Sequence, residues 1–339
     1  MNTAGWTPLH AQLHRTLRQR QLLPKGSRSL VAVSGGQDSL CLVQLLLNLQ
    51  PKWQWQLAIV HCNHQWRQDA TANADYVEQL AKDWGVPCFI ATSEEKLTSE
   101  AAARQWRYQV MAEFACQSGY SSLVTGHTAS DRAETLLYNL VRGSGADGLQ
   151  ALTWQRPLVP GVMLVRPLLE VTRAETGMFC ETAQLQVWED STNQDWHYAR
   201  NRIRQELIPY LQTHFNPQVE QTLNQTAELL RAEVEYLEAV AIELLHQCSV
   251  ETDFPPRLDR SFLKTVPLAL QRRVMRQFLV RILPIAPTFD QIEKLVGLIA
   301  APNRSQTDPF PGGMIAQVDD RWIVMGEMNR TEGRSDGIG

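Results

Sequence analysis

Residue type and spacing first suggest chemistry at Ser34-Gly35-Gly36-Gln37-Asp38-Ser39. Two adjacent glycines let a chain turn tightly and present its N–H groups with no Cβ in the way. The apolar run Leu30-Val31-Ala32-Val33 precedes the stretch and a periodic apolar segment, Leu40 to Leu49, follows it. The pattern reads as strand, turn and helix start, and a helix N-terminus adds unpaired N–H groups and a positive dipole end. A phosphate suits such a site. The stretch is not a Walker A loop, because no Gly-Lys-Ser/Thr follows, nor a G-x-G-x-x-G turn. A Gly-Gly pair between strand and helix is also ordinary punctuation.

Four further constellations can carry chemistry. Asn63, His64 and Arg67 follow a second apolar run, although a histidine after a strand is more often structural. Glu100, Arg104 and Arg107 share one helical side, either as a solvated face with an i,i+4 pair or as two guanidiniums that meet a polyanion. Gly126-His127 opens a turn in which the imidazole can bind phosphate oxygens or shuttle a proton. Asp131 and Glu134, three apart, can bind magnesium or take a proton from an attacking amine; equally, Asp131 can be a plain first-turn acid. Last, Arg200, Asn201, Arg202 and Arg204 form either an exposed basic face or a clamp for phosphate or carboxylate, just after an acidic cluster, Asp190 to Asp195.

The elements that must hold these residues can be read from periodicity. Residues 7–22 predict an amphipathic helix with Leu9, Leu13 and Leu17 inward. Strands are expected at 30–33, 55–61, 88–91, 122–125 and 163–165, with helices at 38–49, 71–84, 99–116, from the Gly126–Asp131 turn to Arg142, and from Thr172, which heads a Thr-x-x-Glu capping box. This alternation predicts an α/β fold with a doubly wound parallel sheet. Ligands of such sheets gather beyond the carboxyl ends of the strands, where three of the polar turns fall. After Asn216-Pro217 the pattern turns helical, at 218–246, 267–283 and 288–300, and closes on a hairpin at 314–325. The expected domains are 1–215, a small and mainly helical 216–330, and a disordered tail 331–339.

Length and composition set the limits. The 339 residues suggest about two domains, and 44% hydrophobic with 20% charged residues is a globular balance. A net charge of −4 argues against a general nucleic-acid coater but leaves room for a local basic face. Six cysteines are scattered with no C-x-x-C pair, which excludes a zinc ribbon or a disulfide framework and suits a reducing, cytoplasmic setting. No signal-peptide or membrane-spanning pattern is present.

In order along the chain, SGGQDS, HCNH with Arg67, EAAARQWRY, GHTASDRAET, VRGSG, RPLL and DSTNQDWHYARNRIRQELIP resemble the tRNA(Ile)-lysidine synthases, PP-loop ATP pyrophosphatases, over residues 28–215. Leu268 to Arg273 and Pro311-Gly312-Gly313 resemble that family's helical C-terminal domain more weakly. The resemblance implies ATP and Mg2+ as co-substrate and cofactor, with L-lysine and a tRNA(Ile) bearing a CAU anticodon as the other partners. It implies that lysine is ligated to C2 of the first anticodon cytidine through an adenylated intermediate. It also implies ATP binding by Ser34, Gly35, Gly36, Gln37, Asp38, Ser39, Asn63, His64, Arg67 and Gly126, and metal binding by Asp38 and Asp131. Catalysis would fall to Asp38, His127, Asp131 and Glu134. Arg104, Arg107, Asn193, Arg200, Asn201, Arg204, Arg272 and Arg273 would hold lysine or RNA. Gln65-Trp66 departs from the Gly-Leu common in the family. Oligomeric state, a homodimer included, is left open.

Overall fold

The computed structural model describes residues 5–65, 69–94, 98–188, 196, 199–250 and 255–327. Asn193, Arg67, the acidic cluster and the tail lie outside them. The chain divides into two compact units, Met1–Arg231 and Ala232–Gly339.

The first apolar run is β1 (Arg28–Ala32), and its alternate side chains supply two different cores. Val31 and Val33 pack with the inner faces of α1 (Pro8–Gln19) and α2 (Gln37–Trp53), while Leu30 joins Met111, Ala115 and Tyr120 on the other side. β2 (Gln56–Asn63) repeats the division, with Leu57 and Ile59 on one face and Ala58 and Val60 on the other. Burial on both faces is what makes these strands nearly continuous apolar runs. The chain continues through α3 (Ala70–Trp84), β3 (Cys88–Thr92), α4 (Glu100–Gln117), β4 (Ser122–Val124), α5 (Ala129–Val141) and α6 (Ala146–Leu149). Then come β5 (Gln155–Val159), β6 (Val162–Val165) and α7 (Arg173–Thr182).

The sheet order is β3-β2-β1-β4-β6-β5. All neighbours run parallel except β5, which pairs antiparallel with β6. The expected parallel sheet therefore gains an antiparallel edge. Pro157 breaks the apolar alternation of β5 and sits beside its register shift, as an edge strand tolerates. The chain leaves β1 toward β2 and β3 and later returns to β1's other side with β4, so β1 and β4 flank the topological switch point.

Beyond α7, α8 (Ala199–Arg202), a π-helical turn Ile203–Leu207 and α9 (Ile208–His214) run on as one helical segment. The Ile208 N–H donates to Ile203 O, five residues back. Ile203 and Ile208 are both buried against Ala133 and Leu137 of α5. Residues five apart lie about 140° apart on an α-helix, so both reach one core only if the turn is widened. Pro209 has no N–H to close the normal ladder at this point.

α10 (Val219–Cys248) carries the division between the units. In the first unit, its Glu228 accepts hydrogen bonds from Arg132 (3.0 Å), Arg20 (2.6 Å), Arg231 (2.8 Å) and the Trp154 indole (3.1 Å). Burial acts to raise this carboxyl, but these donors hold it at about 2.

The second unit packs β7 (Ser249–Val250), β8 (Arg257–Asp259), α11 (Arg260–Leu263), α12 (Leu268–Ile282), α13 (Phe289–Gly297), β9 (Met314–Asp319) and β10 (Trp322–Glu327) around one core. The expected hairpin is β9–β10, but β8 and β7 extend it into a four-stranded antiparallel sheet. Strands of two and three residues are too short to show a period. Among the described residues no helix is long and apolar enough to cross a membrane. All six cysteines are free, and Cys116 on α4 is exposed.

Candidate active site

α2 begins at the Gly-Gly turn with Gly36 as its N-cap and no side chain capping it. By contrast, Ser99, Thr128 and Thr172 cap α4, α5 and α7 with their hydroxyls. The first-turn N–H groups of α2 are thus left for a ligand. The turn is held from behind. Gly35 has φ +87°, and a Cβ there would meet Asn73 Oδ1 at 2.5 Å. Asn73 donates to Ser34 O at 3.0 Å, and the Trp188 N–H donates to Gly35 O at 3.0 Å. Ser39 Oγ accepts from the Ser34 N–H and donates to Gly36 O.

In front of the turn lies a cavity of about 270 Å³ at the carboxyl ends of β1 and β4. Ser34, Asp38, Ser39, Gly126, His127, Asp131, Arg104 and Arg107 line it, together with Val60, Cys62, Tyr108 and Met111. Residues from three of the polar stretches thus meet at one place. The wall is apolar at Val60, Cys62 and Met111 and polar or charged elsewhere, as a nucleotide pocket requires. Gly126 is packed against the start of α2, and a Cβ there would lie 2.9 Å from Asp38 O.

Electrostatics favour an anion. Arg104 and Arg107 meet no carboxylate among the described residues. Burial, against the pull of Asp131, and the nearby Arg166, Arg104 and Arg200 hold the His127 imidazole down at about 4. His127 Nδ1 lies 2.8 Å from Thr125 Oγ1. Asp38 is raised by burial; Arg173 and Thr176 oppose this, while Asp131 lies close enough for its charge to add to the rise. Asp131 is pushed up by burial, but His127, the Thr128 N–H and Arg204 outweigh that and leave it below the ordinary range.

Asp131 divides its oxygens. Oδ2 accepts from the Thr128 N–H and hydroxyl, both at 2.8 Å, closing the cap of α5, while Oδ1 lies 3.3 Å from Arg204. Glu134 is off the cavity wall. It accepts a bidentate pair from Arg204 at 2.6 and 2.9 Å, and burial raises it despite that partner. Burial would lower Arg204 in turn, but the two carboxylates more than offset it. The two acids three apart therefore grip a guanidinium from the π-helical turn, where the spacing also allowed a metal.

The other described residues expected at the site lie off the cavity wall. Gln37 faces α7, donating to Arg173 O at 2.7 Å and Thr176 Oγ1 at 3.0 Å, away from the cavity. Gly35 and Gly36 shape the turn but do not line the cavity. Neither Asn63 nor His64 lines it either: strand alternation gives that face to Val60 and Cys62 and turns Asn63 away, while His64 lies beyond the end of β2. Asn63 instead accepts from the Gln65 N–H at 2.9 Å. Arg200 lies over the Tyr138 ring at 5.9 Å, and Asn201 is its neighbour on α8. In the second unit, Arg272 pairs with Glu293 and Arg273 with Glu238. Tyr108 and Met111 of α4 and Thr125 were missed on the cavity wall. For Tyr108 and Met111 the one sequence signal is helical spacing from Arg104, since 104, 107, 108 and 111 share a face.

Residues 8–211 match the PP-loop domain family. Among similar proteins is the tRNA(Ile)-lysidine synthase of a Nostoc species, 60% identical over 94% of this chain and 97% of that one. The Synechocystis enzyme of the same name is 51% identical over 95% of this chain and 100% of its own. A chloroplastic one from Zygnema circumcarinatum is 35% identical over 84% and 78%. Among solved structures, a U34-tRNA thiolase from Methanococcus maripaludis with its 4Fe–4S cluster has a similar fold, with a TM-score of 0.55 at 17% identity over 66% of this chain and 77% of that one.

Proposed function

The chain belongs to the tRNA(Ile)-lysidine synthases, within the PP-loop domain family, and from this premise we propose how its own residues carry out that reaction. The cytidine C2 oxygen at the first anticodon position attacks the α-phosphorus of ATP and expels pyrophosphate. The ε-amine of L-lysine then adds at C2, loses a proton, and AMP departs with that oxygen. The modified base pairs with A instead of G, and charging passes from methionine to isoleucine. The setting is the cytoplasm.

One observation carries the reading: the uncapped α2 N-terminus, Asp38, His127, Asp131 and two guanidiniums without carboxylate partners among the described residues share one cavity. The free N–H groups and Ser34 and Ser39 receive phosphate oxygens. Arg104 and Arg107 balance the charge that grows as pyrophosphate leaves. With its pKa held so low, His127 stays neutral at physiological pH, where it serves as a hydrogen-bond donor to phosphate better than as a base. Asp131 and Glu134 fix Arg204 and so the π-helical turn that carries it, next to Arg200 and Asn201, which orient lysine or an RNA phosphate. Asp38 and Asp131 are the carboxylates on the wall and feel each other's charge, which fits a magnesium ion held by one or two carboxylates and phosphates. That ion would neutralise the phosphate charge. The second unit is proposed to hold tRNA.

Sulfur insertion, the chemistry in the thiolase's name, finds little support in the cavity. Cys62 is the cysteine on its wall, and burial, against the pull of Arg107, pushes its thiol to about 12. Incubation with ATP, lysine and a tRNA(Ile) transcript, followed by nucleoside mass analysis, should give a lysine adduct but none with ornithine. Absence of the lysine adduct would overturn the proposal.

A further inference from the structure

The catalytic cavity leaves the N-terminal arm of the first unit unexplained. The first 37 residues hold five cations, Arg15, Arg18, Arg20, Lys25 and Arg28, and no Asp or Glu, in a chain of net charge −4. The fold sorts them. Arg20 turns to Glu170 and Glu228, and Arg28 lies over the Tyr120 ring at 5.0 Å. Arg15, Arg18 and Lys25 remain exposed, joined by Lys52 from the last turn of α2. None of these four meets a carboxylate among the described residues. Keeping like charges together without acids costs stability, so the arrangement calls for an external counter-charge.

An aromatic frame stands among the cations. Trp6, 58% exposed, stacks on His10 with centroids 5.6 Å apart, and the Lys52 ammonium lies 5.7 Å from its ring centre. The Trp53 indole donates to His14 Nδ1 at 3.1 Å, leaving Nε2 to carry the proton of the neutral ring. Burial, then Lys52 and Arg18, lowers the His14 imidazole, which registers the uncompensated positive field. Two hollows of about 510 Å³ each run along this face. One is lined by Trp6, His14, Arg15 and Arg18, the other by His14, Arg18, Lys25, Lys52 and Trp53. Sharing His14 and Arg18, they form one groove along α1.

The geometry points to this groove as a contact for the phosphate backbone of the RNA substrate, beyond the nucleotide that reacts in the cavity. The inference rests on the reading of the chain as a tRNA enzyme. Cations without acids and exposed aromatic faces are what a sequence-independent RNA contact uses. Lys52 is fourteen residues from Asp38 on α2, about 21 Å at ~1.5 Å per residue, so another stretch of the same RNA must reach the groove. An anionic lipid surface would also attract the charges. However, the leucine face of α1 is buried in the protein at Leu9, Leu13 and Leu17, which leaves little apolar surface to insert.

The test uses the full chain carrying Arg18→Glu with Lys52→Glu, exposed positions whose loss breaks no ion pair among the described residues, and separately Trp6→Ala. With an unmodified tRNA(Ile) transcript, the double variant should bind at least tenfold more weakly. Its slope of log Kd against log salt should fall by about two, one for each lost phosphate contact. Trp6→Ala should weaken binding severalfold with the slope kept, and ATP binding without RNA should be unchanged in both. Unchanged affinity and slope would overturn the inference. So would loss of binding to phosphatidylglycerol vesicles with transcript binding intact, which would make the face a lipid contact. Lysidine formation by the unsubstituted enzyme is scored separately: its absence would overturn the proposed reaction, while the groove is judged on transcript binding alone.

Discussion

Asp131 shows how one carboxylate can be both a helix cap and a site residue. Asn at this position can still accept from the Thr128 N–H, whereas Ala cannot. Asp131→Asn should therefore lose less stability than Asp131→Ala while abolishing lysidine formation. Asp131→Ala should lose activity and also about 1 kcal/mol of stability, as for a removed cap. Normal turnover by the Asn variant would remove the charge from the mechanism. Gly126 is a second case. A Cβ would press on Asp38 O at 2.9 Å, so Gly126→Ala should displace the start of α2 and weaken ATP binding about tenfold in calorimetry, with strain of about 1–3 kcal/mol. At this scale the sequence was most legible where a backbone demand selects the residue, as at Gly35 and the Thr172 cap. It was least legible where direction decides. Asn63 and Gln37 have suitable chemistry, but strand alternation and the facing α7 turn them away from the cavity.

Glu228 governs how α10 joins the first unit, because its carboxylate answers the fully buried Arg132 as well as Arg20 and Arg231. Glu228→Gln should leave Arg132 without its charge partner and cost about 3 kcal/mol in urea unfolding. The pH dependence follows from the sign of the shift. A carboxyl held near 2 in the fold and near ~4.3 in the unfolded chain stabilises fully above the higher value. That contribution should fade as pH drops from about 4 toward 2, and the Gln variant should show a flatter acid limb. Elements with long periods were readable: α1 to α5 and α10 follow their apolar spacing. The antiparallel edge β5, the short β7 and β8 and the π-helical turn were not, since each departs from period 2 or 3.6. For the π-helical turn the clue was present in retrospect, as Ile203 and Ile208 are both apolar at a spacing that an α-helix cannot bury on one face.

Over the whole molecule the net charge of −4 conceals how the cations are used. Arg272 and Arg273, attractive as RNA contacts in sequence, already have glutamates, and such partners lie too far away in the chain to be foreseen. Replacing both with Ala should lower the melting temperature of the second unit. The salt slope for tRNA binding should change by less than one, because each guanidinium would have to leave a carboxylate to reach RNA. A slope change of two would return α12 to the RNA interface. The thiols also differ in their environments. Burial raises Cys62 to about 12 and Cys88 to about 11 and encloses Cys41, Cys180 and Cys248, while Cys116 is exposed on α4. Cys116 stands nine residues beyond Arg107 on that helix, about 14 Å along its axis at ~1.5 Å per residue. The native protein thus offers one preferred attachment point for a maleimide fluorophore, on the helix that forms a wall of the cavity. Nucleotide arrival can be followed as a change in emission without altering any residue.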